Sequence, residues 1–185
     1  MTGLFGGAFD PPHNGHVALA RAALAHFDLE RMLALVVVDP GHREVVLDFP
    51  TRFRLAKLAF GDLPHTEVVP EEHRFTVEAV ADGRFADAIF LVGADEFASF
   101  LSWKDPNAVL EAVRLGVATR PGFPREALEP VLESLERPDR VALFDMPVMP
   151  ISGTEIRARA ASGESLDSLV PAAVAVEIDR LGLYR

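Results

Sequence analysis

The segment GGAFDPPHNGH, residues 6–16, joins a short apolar run, Thr2–Phe5, to a helical pattern, His16–Phe27. Gly6 and Gly7 lack a Cβ atom, so a bulky phosphate chain can approach their backbone N–H groups. The prolines that follow stiffen the bend, because the residue before a proline avoids the α region. The helix that begins next points free N–H groups and the positive end of its dipole toward the loop. The segment therefore predicts a phosphate-binding loop between a strand and a helix.

Two histidines, His13 and His16, lie three residues apart at the start of that helix, for which Asn14 is the predicted N-cap. This spacing places both rings on one side of the helix. There they can donate hydrogen bonds to phosphate oxygens as negative charge develops in a transition state, and Gly15 leaves room for a base or a ribose. The pair could also be two exposed helix residues or a transition-metal pair, although helical zinc sites more often use an i, i+4 spacing with a supporting acid.

Beyond this segment the chain alternates between strand-like and helical patterns. Short runs rich in Val, Leu, Ile and Phe predict strands at Thr2–Phe5, Leu33–Asp39, Thr66–Val69, Ala88–Val92, Leu115–Thr119 and Val141–Phe144. Helices are predicted at His16–Phe27, Thr51–Phe60, Thr76–Asp82, Glu96–Ser102, Pro106–Val113, Arg125–Glu136, Thr154–Ala161 and Ala172–Leu181. The alternation predicts an α/β fold, a Rossmann-like, doubly wound parallel sheet in three α/β/α layers. Ligands of such sheets bind beyond the carboxyl ends of the strands.

Composition narrows the class of protein further. The chain has 185 residues, 49% of them hydrophobic, which predicts a single domain, 1–185, with a C-terminal helical segment, about 152–185, packed on it. The longest apolar run, Met32–Val38, is far shorter than a membrane span needs. The net charge of −10, with Lys57 and Lys104 as the only lysines, argues against a nucleic-acid binder. The absence of cysteine and of a signal-peptide pattern at the N-terminus indicates a cytoplasmic protein.

A second motif, Ile151-Ser-Gly-Thr-Glu-Ile-Arg157, follows the last predicted strand and opens a helix. Ser152 or Thr154 can cap this helix, whose N-terminus and hydroxyl groups then form an anion site. Arg157, one turn into the helix, can reach phosphate oxygens. Taken alone, the motif also fits an ordinary helix cap followed by a surface arginine.

Together the two motifs resemble the signature of the nucleotidylyltransferase superfamily, whose core is His-x-Gly-His, here His13–His16. The Gly-x-Phe-Asp-Pro form, here Gly7–Pro11, is similar to that of bacterial adenylyltransferases. Residues 151–157 resemble the family's Ile-Ser-Ser-Thr-x-Ile-Arg segment, which binds the ATP triphosphate, with Gly153 in place of the second serine. The resemblance implies a nucleotidylyltransferase-type fold and three catalytic residues, His13, His16 and Arg157. It implies an ATP site formed by Gly6, Gly7, Ala8, Phe9, Asp10, Gly15, Gly93, Asp95, Ile151, Ser152 and Thr154.

The middle of the chain resembles nicotinate mononucleotide adenylyltransferases. Gly93-Ala-Asp95 and Trp103 are similar to that family's Gly-x-Asp…Phe-x-x-Trp pattern, in which the Trp stacks on the nicotinate ring. From the residues alone, Asp95 can accept from ribose hydroxyls, and Trp103 can either stack on a pyridine ring or cap the core. Further resembling segments are Pro40–Arg43, Phe75–Thr76, Thr119–Gly122, Leu169–Pro171 and Leu183–Tyr184. The implied acceptor site consists of His42, Arg43, Thr76, Trp103, Lys104 and Arg120.

The reaction that this resemblance implies is attack of the phosphate of nicotinate mononucleotide on the α-phosphorus of ATP, with pyrophosphate as the leaving group. No covalent intermediate is needed, so catalysis depends on positioning and electrostatics. Mg²⁺ is expected to arrive with ATP, held by phosphate oxygens and water and not by a protein metal site. Asp10 and Asp95 are the nearest carboxylates for metal or ribose.

Departures from the family pattern leave the acceptor open. Arg74 precedes Phe75 where the family often has serine, and Thr119 stands where a basic residue is common. Nicotinamide mononucleotide, phosphopantetheine and FMN are alternative acceptors, and a non-catalytic nucleotide-binding relative is an alternative from another class. The number of subunits also stays open.

Overall fold

The computed structural model describes residues 1–41, 44–81, 83, 85, 87–120 and 123–185. Its strands are β1 (Thr2–Gly7), β2 (Arg31–Val37), β3 (Thr66–Glu71), β4 (Ile89–Gly93), β5 (Arg114–Thr119) and β6 (Val141–Asp145). All of these pair in parallel, in the order β3-β2-β1-β4-β5-β6. The strand order reverses between β1 and β4, which confirms the predicted doubly wound sheet. Such a reversal opens a crevice at the carboxyl ends of the two strands.

Helices cover both faces of this sheet, and this confirms the predicted three layers. The helices are α1 (Asn14–His26), α2 (Phe49–Phe60), α3 (Thr76–Val80), α4 (Ala94–Phe97), α5 (Pro106–Ala112), α6 (Glu129–Glu133), α7 (Gly153–Ala161) and α8 (Ala172–Leu181). One apolar core holds side chains of α1, α2, α7 and α8, and a second core on the opposite face holds those of α3 to α6. No described helix is long and apolar enough to cross a membrane.

Alternation along the central strands explains why both faces are covered. In β1, Leu4 lies in the core with α3 to α6, whereas Phe5 lies in the core with α1 and α2. In β2, Leu33 and Leu35 share the core of Leu4, and Ala34 shares the core of Phe5. Successive side chains of a strand point to opposite faces, so a strand that is apolar throughout has to be buried on both.

The predicted helix Glu96–Ser102 is interrupted in the structure, and the prediction of one continuous helix is wrong. Helix α4 ends at Phe97, and a 3₁₀ turn follows at Phe100–Ser102. Ser99 lies between them, and its Oγ donates to the Glu96 carbonyl at 2.9 Å. Such side-chain bonds to the backbone compete with the helical pattern.

The predicted helix Arg125–Glu136 is also divided, into a 3₁₀ turn at Arg125–Leu128 and the short α6. Pro130 lies in the first turn of α6. A proline has no N–H and suits a helix start but not a helix interior, so it forces a new helix to begin. Helix α3 ends at Val80, whereas its predicted end, Asp82, lies outside the described residues.

Candidate active site

The carboxyl ends of the central strands line a cleft of about 1040 Å³. Most of the predicted site residues line it, namely Gly6, Gly7, Ala8, Phe9, Asp10, His13, Gly15, His16, Thr76, Gly93, Asp95, Trp103, Lys104, Arg120, Ile151, Thr154 and Arg157. Ser152 is not part of the lining, and His42 and Arg43 lie outside the described residues. The fold thus brings the two sequence motifs to one cleft, while the binding role of each residue stays a prediction.

His13, and not Asn14, is the N-cap of α1, so the predicted cap is wrong. The Nδ1 atom of His13 accepts from the His16 N–H at 3.4 Å, and Nδ1 of His16 accepts from the His13 N–H at 3.1 Å. Asn14 is the first helical residue, and its side chain donates to the Ser168 carbonyl at 2.8 Å. The two imidazole rings stack with their centroids 3.6 Å apart. The two predicted catalytic histidines therefore cap the N-terminus of α1 with their own side chains.

This reciprocal capping decides which ring nitrogen of each histidine carries a proton. Because Nδ1 accepts a hydrogen bond in both rings, the proton of a neutral ring is assigned to Nε2. Burial lowers the pKa of His13 from 6.5 to about 4, so this ring is neutral at neutral pH. His13 is therefore an uncharged N–H donor, and its tautomer is set by the backbone of its own helix.

Two glycines of the first loop are closely packed against aromatic rings of the protein itself. A Cβ atom on Gly7 would lie 3.0 Å from the ring of Phe9, and one on Gly15 would lie 3.0 Å from Nδ1 of His13. Phe9 packs edge-on against His16, with ring centroids 5.2 Å apart. Larger residues at these glycines would displace the histidine rings or the phenylalanine beneath them, whether or not a ligand is bound.

Gly93 differs from these glycines because it faces open space. It ends β4 at the cleft, and a Cβ atom there would meet nothing within 4 Å. Its φ of −78° is ordinary for any residue, so neither packing nor backbone conformation calls for a glycine. A surface free of side chains beside Asp95 suits the close approach of a ligand.

The second motif contacts the first through Arg157. Its Nη1 donates to the Asp10 carbonyl at 2.8 Å, and its Nη2 donates to Thr154 Oγ1 at 3.3 Å. Ser152 is the N-cap of α7, as one of the two predicted alternatives had it. A Cβ atom on Gly153 would lie 3.2 Å from Nη1 of Arg157, a close approach that a small shift of this flexible side chain relieves. The start of α7 therefore lies close to the first loop, which Arg157 contacts at Asp10.

The predicted acceptor side of the cleft is aromatic at its base. Trp103 lies half-buried, edge-on to Phe100 with ring centroids 5.1 Å apart and to Phe90 at 6.2 Å. It also lines the cleft. The two interpretations of Trp103, core packing and a surface for a ring, are therefore compatible in this geometry.

Polar groups surround this aromatic base. Lys104 donates to Glu78 at 2.6 Å, and its Nζ lies 4.6 Å from the centroid of the Phe75 ring. Thr76 is the first residue of α3, and Arg120 is an exposed residue directly after β5. Thr76 begins a helix and Arg120 follows a strand, whereas Lys104 lies in the loop before α5, and all three line the cleft.

Residues 4–159 match the sequence profile of the cytidylyltransferase-like family. A probable nicotinate-nucleotide adenylyltransferase of Bordetella petrii is 37% identical, and the alignment covers 99% of this chain and 98% of that protein. A protein of the same name from Thermus thermophilus is 34% identical, over 99% of this chain and 98% of its own. The chain belongs to the cytidylyltransferase-like family. Within this family it groups with proteins named nicotinate-nucleotide adenylyltransferases.

Two solved structures of a nicotinic acid mononucleotide adenylyltransferase share this fold. The nicotinic acid mononucleotide adenylyltransferase of Plasmodium falciparum complexed with NaAD superposes with a TM-score of 0.80 over 99% of this chain and 96% of that one, at 14% identity. The same enzyme complexed with APC gives a TM-score of 0.77 at 16% identity, over 99% and 96% of the two chains. At these identities the likeness establishes the fold.

In this cytidylyltransferase-like chain the structure adds cleft residues that the sequence analysis missed. Glu71, 4% exposed at the end of β3, accepts from Nδ1 of His73 at 2.7 Å. Arg74, noted only as a departure from the family pattern, forms an ion pair with Asp39. Glu71, His73 and Arg74 all line the cleft. Their position directly after predicted strands was the available signal, because ligands bind beyond the carboxyl ends of parallel strands.

The carboxylates that line the cleft do not converge on one point in the described part of the chain. Among the residues that the structure describes, no group of three or more His, Asp or Glu side chains is placed to hold a metal ion. Asp95 lines the cleft in the first turn of α4. The Asp10 carboxylate accepts hydrogen bonds from the Val46 N–H at 2.5 Å and from the Tyr184 hydroxyl at 2.7 Å.

Proposed function

We propose that this protein transfers the adenylyl group of ATP to nicotinate mononucleotide, forming deamido-NAD and pyrophosphate. The pair of reciprocally capped histidines supports this most directly, because a helix N-terminus with two ring N–H donors suits a phosphate under attack. The names of relatives that match the whole chain support the choice of acceptor. The cysteine-free composition suits a reaction in the cytoplasm.

On the ATP side, His13 and His16 donate from Nε2 to oxygens of the α-phosphate and of the bridge to the leaving group. Arg157 and the N-terminus of α7 hold the β- and γ-phosphates. A phosphate oxygen of the acceptor forms the new bond to the α-phosphorus as the bond to pyrophosphate breaks. The side chains exchange no proton in this step, so a neutral His13 serves as a donor throughout, and the rate comes from orientation and charge stabilisation.

Mg²⁺ is the cofactor that we propose, and it enters with ATP. Bound to the triphosphate, it would supply positive charge against the charge that develops on the leaving group. Asp95 is the carboxylate we assign to this end of the cleft, as a partner for the ribose or for a water of the ion. Asp10 is less suited, because its carboxylate already accepts from an N–H and an O–H group of the protein.

On the acceptor side, Trp103 offers its face to the pyridine ring, and Thr76 lies where the ring's carboxylate would approach. Arg120 is exposed beside the cleft and supplies positive charge for the acceptor's phosphate. Lys104 forms an ion pair with Glu78, so it contributes to the electrostatic potential of the site more than to a direct contact with the acceptor. His42 and Arg43 complete the acceptor site in this proposal.

Pyrophosphate release from ATP and Mg²⁺ tests the proposal, with four acceptors assayed in parallel. Nicotinate mononucleotide is expected to give the highest kcat/KM, followed by nicotinamide mononucleotide. Turnover with phosphopantetheine or FMN alone would retain adenylyl transfer and reject the acceptor. No turnover with any of the four, in protein that binds ATP, would favour a non-catalytic nucleotide-binding protein.

The role of the histidine pair is tested by His16→Ala. We expect kcat to fall by about 100-fold or more, as for the loss of a donor to a developing charge. His26→Ala is the matched control, because His26 is an exposed histidine of the same helix that packs against Phe27 and Phe144. Equal activity in the two variants would reject the role of His16.

A further inference from the structure

Arg52 of α2 is a buried charged residue that the reaction does not use. It is 1% exposed, and its guanidinium group donates only to backbone carbonyls among its described hydrogen bonds. These belong to Ala8 at 2.8 Å, Val37 and Val38 at 2.9 Å each, and Leu47 at 3.2 Å. A buried arginine remains charged and is tolerated when its donors are satisfied. Arg52 therefore joins the first loop to the chain that leaves β2 and returns to α2.

Asp10 is the second buried charged residue in this region, at 8% exposure. Its Oδ2 accepts from the N–H groups of Val46 at 2.5 Å and Leu47 at 3.5 Å, and its Oδ1 accepts from the Tyr184 hydroxyl at 2.7 Å. Burial, followed by the bond to Asp10, raises the pKa of Tyr184, so the hydroxyl stays protonated and donates. The Asp10 carbonyl also accepts from Arg157.

Asp10 and Arg52 both connect residues 8–10 to residues 44–48, Asp10 by accepting from N–H groups and Arg52 by donating to carbonyl groups. Leu47 donates its N–H to Asp10 and presents its carbonyl to Arg52. Ala8, two residues before Asp10, presents its carbonyl to Arg52 as well. Residues 8–10 lead to His13, whereas residues 44–48 belong to the chain that follows β2 on the predicted acceptor side. The two charges thus connect the two sides of the cleft, Asp10 from within its lining and Arg52 from behind it.

We propose that Arg52, Asp10 and Tyr184 form a positioning network that sets the distance and angle between the ATP side and the acceptor side of the cleft. The effect of this network on catalysis rests on the proposed adenylyl transfer. Asp10 acts in it through the backbone that it holds and does not contact ATP. Tyr184 donates a hydrogen bond to the Asp10 carboxylate and so fixes its orientation. All three are positioning residues, since none is placed against the reacting atoms.

Tyr184→Phe removes one hydroxyl and keeps the ring, so it is the most conservative test of the network. We expect kcat to fall about tenfold while KM for ATP stays within about threefold, because a misplacement of about 1 Å can cost about 100-fold in rate. Arg185→Ala is the matched control at the next residue. It breaks only an exposed ion pair with Asp179, 2.6 Å in length, and keeps the wild-type kcat.

Asp10→Asn is a second, independent perturbation of the contact between Asp10 and Tyr184. We expect a similar fall in kcat, and a double variant with Tyr184→Phe no worse than the more impaired single variant, because both act through one contact. Wild-type kcat in both single variants, measured below their unfolding temperatures, would assign the network to stability alone and overturn the proposal. A raised KM for ATP with unchanged kcat in Asp10→Asn would also overturn it, since Asp10 would then contact ATP.

Hydrogen exchange without substrates tests the network separately from the reaction. In Tyr184→Phe we expect faster amide exchange at residues 8–16 and 44–48, and wild-type exchange in β5 and α5. Unchanged exchange at both segments would overturn the proposal even if activity falls. If wild-type protein releases no pyrophosphate with any acceptor, the proposed function fails, and the exchange data alone still decide whether the network holds the two segments.

Discussion

His13 is expected to make the protein less stable as the pH falls below neutral, and His13→Asn should remove this effect. Burial lowers the pKa of His13 from 6.5 to about 4. Between these two values the unfolded chain binds a proton at His13 and the folded protein does not. Stability therefore falls as the pH falls through 6.5, and the His13 contribution levels off below about pH 4. Above pH 6.5 the residue makes no pH-dependent contribution.

The magnitude follows from the same two pKa values. At about pH 5, the linkage relation gives a loss of about 2 kcal/mol in the free energy of unfolding relative to about pH 7.5. The assay is urea unfolding of both proteins at the two pH values, and the quantity of interest is the difference between their pH dependences. Titrating groups that do not contact His13 contribute equally to both proteins and cancel. Asparagine keeps an oxygen acceptor at the N-cap, so the helix start is retained.

His65→Asn is the matched control for this experiment. His65 is exposed and has a φ of +55°, a conformation that asparagine tolerates well. We expect His65→Asn to keep the pH dependence of the wild type. If His13→Asn and wild type differ by less than about 0.5 kcal/mol in their pH dependence, His13 is not held neutral by burial. The assignment of its proton to Nε2 would remain, because it rests on the hydrogen bond that Nδ1 accepts.

Four further substitutions test single residues that line the cleft or lie behind it. Gly93→Ala should leave the free energy of unfolding within about 0.5 kcal/mol of wild type, because the added methyl group meets nothing within 4 Å. The same substitution should raise KM for ATP. In Gly7→Ala the new Cβ lies 3.0 Å from Phe9, so urea unfolding should show a loss of about 1–3 kcal/mol. An unchanged KM in Gly93→Ala would mean that the nucleotide does not pass this face. Trp103→Ala should raise KM for the acceptor and leave KM for ATP unchanged in steady-state kinetics, and an unaffected acceptor KM would make Trp103 purely structural. Arg52→Met should lower the free energy of unfolding by about 3 kcal/mol or more, because it leaves the four backbone carbonyls that Arg52 binds without this donor; a loss below about 1 kcal/mol would mean that these hydrogen bonds contribute little to stability.

The positions of the strands were predictable because a buried parallel strand consists of consecutive apolar residues. Runs such as residues 33–38 are apolar on both faces, and the flanking Gly, Pro and Asp residues mark where each strand ends. The helices were less predictable at positions where local side-chain bonds compete. Ser99 and Pro130 interrupt two of them, and neither residue disturbs the hydrophobic pattern from which a helix is predicted.

The N-cap of α1 shows where local reasoning fails. Asparagine is among the best N-caps, and Asn14 stands one residue from the true cap. Its side chain instead bonds to the Ser168 carbonyl, which the sequence places 154 residues away. His13 takes over the cap because His16 returns the bond, and that exchange depends on the positions of both rings on the folded helix.

The sequence by itself determined the strand–helix order, the sheet type, and the two motifs whose residues meet in the cleft. Each of these depends on neighbouring residues, whose spacing is the same before and after folding. Only the tertiary structure decided that Asp10 turns its carboxylate to Val46 and Tyr184, and that Arg52 is buried beneath the first loop. Their partners come from segments far apart in the chain, and a charged residue in a helix pattern gives no local sign of whether distant carbonyls will surround it. The energy of such contacts exists only once the sheet has brought those segments together.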